Sequence, residues 1–318
     1  MQVRAVIAEE VNRMGLTTLE LPAPEAGEVV VKALATGISP GTELRCLAGK
    51  QPGLTEFPFI PGYAFVGVRT DTGERVLTSG SSRSPIKTAW GAHMSAIIKP
   101  TADLVPIPES VDTFDASIIR LAGIAYRGYR LAKAHPHETV VILGLGAIGQ
   151  MSARLFRLSG ARVIAVDPVA ERRAVAAVSG AETLSPEEAG VALANSADVV
   201  VDATGSLKGL NFAVELARAH PWGNEEAESP RIVIQGSYPE EFSTNYQQAF
   251  LKELTFHLPR DVGRADLVAV LGLLDRKAIS VKELITGVIQ PEEADSAYAQ
   301  LRTNLSAVTF VFDWSRPS

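Results

Sequence analysis

Gly144-Leu145-Gly146-Ala147-Ile148-Gly149 follows the apolar run Val140-Val141-Ile142-Leu143. The spacing Gly-x-Gly-x-x-Gly suits one chemistry above others, the cradling of a dinucleotide pyrophosphate. Gly144 permits the tight turn out of a strand, Gly146 lets phosphate approach the backbone, and Gly149 lets the next helix pack closely on the sheet. Around Ala147 and Ile148 that helix offers free N–H groups and the positive end of its dipole to an anion. Asp167 ends the run Val163-Ile164-Ala165-Val166, 18 residues after Gly149, about where a ribose-binding acid is expected. Its carboxylate can accept hydrogen bonds from a free ribose hydroxyl and would repel a 2′-phosphate, so NAD is favoured over NADP. Arg172 and Arg173 follow; they either hold such a phosphate or lie solvated on the next helix. Thr204-Gly205 and Gly236-Ser237 end two further apolar runs in small residues. They are either ordinary tight turns or the room a nicotinamide ring needs at the carboxyl ends of a parallel sheet.

A second group of reactive side chains lies earlier, in Gly37-Ile38-Ser39-Pro40-Gly41-Thr42-Glu43 and Pro61-Gly62-Tyr63-Ala64. The hydroxyls of Ser39 and Tyr63 and the carboxylate of Glu43 can donate or accept a proton. Each has a structural use as well: Tyr63 fills volume, Ser39 before Pro40 makes a turn, and Glu43 is a hydrogen-bonding partner. His93, in Trp90-Gly91-Ala92-His93-Met94, falls on a predicted strand and reads as structural. Cys46 has no neighbour to lower its pKa and reads as inert.

These residues need two kinds of scaffold. Over the first 110 or so residues, short apolar runs at 3–7, 28–33, 64–68 and 74–78 alternate with Gly and Pro turns. Pro22, Pro24, Pro40, Pro58, Pro61, Pro100, Pro106 and Pro108 argue against long helices there. From 115 to 134 the apolar spacing becomes helical. Beyond it, β-branched runs at 139–143, 162–166, 198–202 and 231–234 alternate with helical stretches such as 147–158. That alternation predicts an α/β fold with a doubly wound parallel sheet and right-handed crossovers. Helices are predicted near 265–275 and 291–301 and a strand near 307–312; 222–230 is a polar loop.

The 318 residues are enough for two domains. Apolar residues make up 46% and charged residues 21%, as in a soluble globular protein. A net charge of −6 offers no field for a phosphate backbone, which counts against nucleic acid as a partner. One cysteine excludes an intrachain disulfide and a multi-cysteine zinc site. The N-terminus lacks a signal-peptide pattern, and no apolar run approaches the ~18 residues of a spanning helix. A cytoplasmic protein without membrane contact is the expectation.

In motif order the chain resembles the medium-chain dehydrogenase/reductase superfamily, through Gly-Leu-Gly-Ala-Ile-Gly, Asp202-Ala203-Thr204-Gly205 and the two earlier segments. The resemblance implies a GroES-like β-rich catalytic domain over 1–115, a Rossmann domain over 116–262, and a segment 263–318 returning to the catalytic domain. It implies a small-molecule substrate in an interdomain cleft, and a homodimer through the Rossmann sheet edge. Zinc members carry cysteine, histidine and an acid or cysteine where this chain has Ser39, Tyr63 and Arg120. Two hydroxyls and a guanidinium are not a zinc ligand set, so the expectation is no metal. The catalytic candidates are then Tyr63 as proton donor, Thr42 at the family's relay position, Ser39 as a second donor and Glu43 as orienting group or proton acceptor. Arg120 would bind an anionic group or pair with a surface acid. Gly-Ile-Ser-x-Gly-Thr-Glu and Pro-Gly-Tyr are similar to the bacteriochlorophyllide a dehydrogenase subgroup, which does not assign a tetrapyrrole substrate. The implied activity is zinc-independent hydride transfer between NAD(H) and a secondary alcohol or ketone. The alternatives are NADPH-dependent reduction of activated double bonds and a catalytically idle dinucleotide-binding protein.

Quenching of protein fluorescence by added dinucleotide is expected at lower NAD than NADP concentration. Tighter binding of NADP would defeat the argument from Asp167.

Overall fold

Alternating apolar residues build the first strands, β1 (Gln2–Glu10) and β2 (Arg13–Glu20), into an antiparallel hairpin. Asn12 takes a φ of 61° at its turn, a conformation asparagine tolerates. The computed structural model describes residues 1–54, 56–80, 83–223, 228–238 and 241–316. The chain forms two compact units. One holds Met1–Arg120, Leu267–Arg276 and Val281–Ser318; the other holds Leu121–Asp266 and Lys277–Ser280. No helix among the described residues is long and apolar enough to cross a membrane.

In the first unit β3 (Glu28–Gly37) is the hub, and its end delivers Ser39 to α1 (Pro40–Leu47). This helix stands where the prolines argued for irregular structure. Pro40 is compatible with it because a proline in the first turn removes only an N–H that has no intrahelical partner. Next come β4 (Phe59–Ile60), β5 (Ala64–Arg69), β6 (Arg75–Thr78), β7 (Lys87–Thr88), β8 (Ala96–Pro100) and β9 (Val105–Pro106). The helical stretch expected over 115–134 is two helices, α2 (Thr113–Ser117) and α3 (Ile119–Ala132), broken at Ile118.

The second unit alternates as the β-branched runs predict. In chain order it has β10 (Thr139–Leu143), α4 (Ala147–Arg157), β11 (Arg162–Val166), α5 (Ala170–Ala177), β12 (Glu182–Leu184) and α6 (Pro186–Ala192). These are followed by β13 (Val199–Asp202), α7 (Leu207–Leu216), β14 (Arg231–Ile234), α8 (Tyr246–Leu251) and β15 (Thr255–His257). The polar loop expected at 222–230 lies partly outside the described residues, at 224–227. All six strands are parallel, in the order β12-β11-β10-β13-β14-β15. Val141, Ile164, Val200 and Ile232 pack on one face, and Val140, Val163, Val199 and Val233 on the other. The period of two thus explains why these runs are continuously apolar.

After α9 (Arg264–Asp275) come β16 (Ile285–Ile289), α10 (Ala294–Thr303) and β17 (Thr309–Asp313). The helix expected from 291 begins instead as a 3₁₀ turn, Pro291–Glu293. β17 pairs with β3, so the last residues of the chain complete the sheet that carries Ser39.

Asp112 caps α2, accepting from Phe114 N and Asp115 N at 2.7 and 3.2 Å. Asp115 itself is half-buried; burial first, then the charges of Asp112 and Glu283, push its carboxyl up to about 6, with Lys282 opposing. Its folded pKa thus exceeds the unfolded value of about 3.9. The associated stability is full below that value and is lost as pH rises through about 6. Asp115→Asn is therefore expected to raise stability at pH above 6 by on the order of 1 kcal/mol, after discounting for solvent exposure. Thermal melts should show the gain vanish near pH 4.

Candidate active site and cofactor turn

β10 and β13 carry the connections that leave in opposite directions, so the end of β10 is the topological switch point. In register, Leu143 lies beside both Val166 and Asp202, and Asp202 beside Ile234. Gly144, Asp167, Ala203 and Gln235 consequently line up at the carboxyl edge. Gly144 has a φ of +83°, and a Cβ on Gly149 would lie 1.8 Å from the Gly144 carbonyl oxygen. Gly146, the N-cap of α4, would place a Cβ in open space. The fold therefore needs the outer two glycines, while the middle one leaves room for an incoming phosphate beside Leu145, Ala147 and Ile148.

Asp167 is 4% exposed. Its two oxygens accept from Leu145 N at 2.7 Å and Val169 N at 2.8 Å, so it also braces the turn. Arg173 is not the solvated residue expected: it donates to the carbonyls of Asp167 and Pro168 at 2.7 and 3.1 Å. Arg172 is partly buried on α5, and its carbonyl accepts from Gln150 Nε2. Thr204 donates through both N–H and hydroxyl to Asp202 Oδ1, and Tyr238 donates to Asp202 Oδ2. A Cβ on Gly236 would meet Gly205 N at 2.2 Å, so the two turns touch backbone to backbone, with Ser237 exposed beside them. These residues fit a dinucleotide: open space at Gly146, a helix N-terminus and a carboxylate stand at one sheet edge.

The earlier candidates also meet. Ser39 is the N-cap of α1, yet its hydroxyl makes no capping bond. It lies 2.5 Å from the Tyr63 hydroxyl, and its N–H donates to Glu43 Oε1 at 2.7 Å. Thr42, partly buried on α1, is a further hydroxyl that acts on the Tyr63 phenol. Burial raises the Tyr63 phenol above the ordinary tyrosine range, with Glu43 adding to the rise; Ser39, Thr42 and Arg120 act the other way. Tyr63 is therefore a neutral phenol, a donor, at physiological pH.

Glu43 is 1% exposed and its Oε2 accepts from His93 Nε2 at 2.9 Å and from the Tyr298 hydroxyl. His93 Nδ1 lies 2.8 Å from Thr36 Oγ1, which accepts from Trp314 Nε1 at 2.9 Å. An indole N–H only donates, so the Thr36 proton is available to His93 Nδ1, and His93 Nε2–H points to Glu43. Gly62, with a φ of +91°, is confined to glycine by His93, whose Nε2 would lie 2.6 Å from a Cβ. Trp90 meets the Tyr63 ring edge-on at 5.4 Å from a φ of 68°, an unusual conformation for a bulky residue. Cys46 is fully buried and its thiol is pushed up to about 12, chiefly by burial.

Tyr298 and Trp314 escape sequence reasoning because they reach the site from the far end of the chain, and the link from His93 to Glu43 because it joins residues 50 apart. The side chains at Ser39, Tyr63 and Arg120 do not fit zinc. Among the described residues, no group of three or more His, Cys, Asp or Glu side chains is placed to hold a metal ion.

The two units together have the medium-chain dehydrogenase, zinc alcohol dehydrogenase-like fold. A structure described as a zinc-binding dehydrogenase from Sinorhizobium meliloti, bound to NADP, matches with a TM-score of 0.85 at 22% identity, over 98% of this chain and 99% of that one. An Escherichia coli alcohol dehydrogenase structure complexed with NADH matches at 0.84 and 22% identity, over 98% and 99%. In sequence, 2-desacetyl-2-hydroxyethyl bacteriochlorophyllide A dehydrogenase of Cereibacter sphaeroides is 29% identical over 99% of both chains. Residues 120–206 match the model of the D-isomer specific 2-hydroxyacid dehydrogenase NAD binding domain. The protein is an alcohol dehydrogenase-like oxidoreductase with an NAD(P)-binding domain.

Gly146→Val is expected to leave thermal stability nearly unchanged while weakening dinucleotide binding at least tenfold by fluorescence titration. Gly149→Val should lose both, since its side chain collides with the Gly144 carbonyl.

Proposed function

We propose that this protein is a zinc-independent, NAD(H)-linked dehydrogenase of a secondary alcohol or its ketone, with Tyr63 as the proton donor and acceptor. The observation that carries the reading is the 2.5 Å contact between the Ser39 and Tyr63 hydroxyls, braced by buried Glu43. It supplies a proton-bearing group at the positions where zinc relatives carry metal ligands.

Backbone N–H groups from Gly146 through the first turn of α4 would hold the pyrophosphate, and Asp167 the adenosine ribose. Thr204, Gly205, Gly236 and Ser237 would border the nicotinamide. When bound, the dinucleotide supplies or takes up the hydride. Tyr63 then acts on the substrate oxygen: as a neutral phenol it donates a hydrogen bond to a ketone and passes its proton as negative charge grows there. Ser39 and Thr42 connect the Tyr63 oxygen to a fresh proton. Glu43, committed to Ser39 N, His93 and Tyr298, holds Ser39 in place. Asp167 supports NAD as the cofactor, because its charge opposes a 2′-phosphate.

Tyr63→Phe is expected to lower kcat by about 100-fold or more, the usual contribution of a positioned acid, with dinucleotide affinity unchanged. Unaltered turnover would remove Tyr63 as the donor. Enzyme dialysed against a chelator should keep its activity; stoichiometric zinc, lost together with activity, would reject the metal-free reading.

A further inference from the structure

Arg120 is the second residue of α3, and its Cζ lies 5.5 Å from the centroid of the Tyr63 ring, within cation–π reach. The proton path from Ser39 and Thr42 does not pass through it. The groups that act on Tyr63 are Ser39 at the N-cap of α1, Thr42 and Glu43 on α1, and Arg120 on α3. Trp90 adds an uncharged edge contact, and His93, behind Gly62, is engaged with Glu43 and Thr36. Within that set Arg120 brings positive charge and Glu43 negative charge.

A buried phenol that loses its proton becomes a buried anion, a state strongly disfavoured unless a cation accompanies it. We propose that Arg120 is that cation: a positioning residue whose guanidinium, set against the Tyr63 ring, offsets the charge left on the Tyr63 oxygen during proton transfer. The inference rests on the reading of Tyr63 as proton donor and deepens it. In reduction the carbonyl carbon gains a hydride from the reduced cofactor, and the C=O π pair moves to oxygen and takes the Tyr63 proton. The phenolic O–H bond breaks with its electron pair staying on Tyr63. The anion stays beside Arg120 until Ser39 or Thr42 relays a proton from solvent. Oxidation runs the same transfers backwards. A guanidinium is not deprotonated in proteins, so Arg120 supplies constant charge and carries no proton itself. It does electrostatically what a Lewis-acid metal does elsewhere, but acts on the acid instead of the substrate.

The test uses cofactor-free protein with a fluorinated tyrosine installed at position 63, whose ring fluorine resonance reports ionisation. Arg120→Gln is expected to raise the ionisation midpoint by about one pH unit, tenfold in the ionisation constant. Arg120→Lys, which keeps the charge, should recover most of that shift; a merely structural arginine would not show this order. If the glutamine variant fails to fold, Arg120→Met provides the uncharged comparison with a similar stem. A midpoint unchanged in a folded, uncharged variant overturns the proposal. Retained turnover in Tyr63→Phe would instead remove the donor reading beneath it, a result on which the midpoint does not depend.

Discussion

Glu43 places a carboxylate where water does not reach it, and a charge so placed must be matched by donors from the protein itself. Three arrive from separate parts of the chain: the Ser39 N–H, His93 Nε2 and the Tyr298 hydroxyl. His93 is held in turn through Thr36 by Trp314. One buried charge therefore joins the end of β3, the loop before β8, α10 and the residue after β17. Loss of any partner would leave a polar group unsatisfied at a cost of about 1–3 kcal/mol, more where the group is charged. The same constraint orients Ser39, and through it the Tyr63 hydroxyl.

The parallel sheet imposes a different kind of order. Its register brings the ends of β10, β11, β13 and β14 to one edge, so residues far apart in sequence face the same space. Asp167 steadies the glycine turn there through Leu145 N and Val169 N. Each carboxylate oxygen accepts one backbone bond and retains acceptor capacity, so the proposed contact with a ribose is compatible with that bracing.

Much of this was legible in the residues. The glycine spacing, the β-branched runs and Asp167 follow local rules of turn geometry and strand burial, and those rules hold wherever the segment sits. Ser39, Thr42, Glu43 and Tyr63 were recognisable as a group through family resemblance. The helix of α1 was not, because proline signals there outweighed the tolerance of a helix for proline in its first turn. The break between α2 and α3 was likewise hidden by continuous helical periodicity. Arg173 looked solvated because nothing in sequence indicates that backbone carbonyls lie within its reach.

The amino-acid sequence by itself determined the alternation of strands and helices, the glycine turn of the NAD(P)-binding domain and the two short segments that carry Ser39 and Tyr63. These are properties of residue type and short spacing, set by conformational preference and hydrophobic period. Only the tertiary structure decided that Tyr63 touches Ser39, that Arg120 lies against the Tyr63 ring, and that Tyr298 and Trp314 support Glu43 from the far end of the chain. The reason is that buried polar groups choose partners by three-dimensional proximity: pairing of β3 with β5 brings Ser39 to Tyr63, and pairing of β17 with β3 brings Trp314 to Thr36.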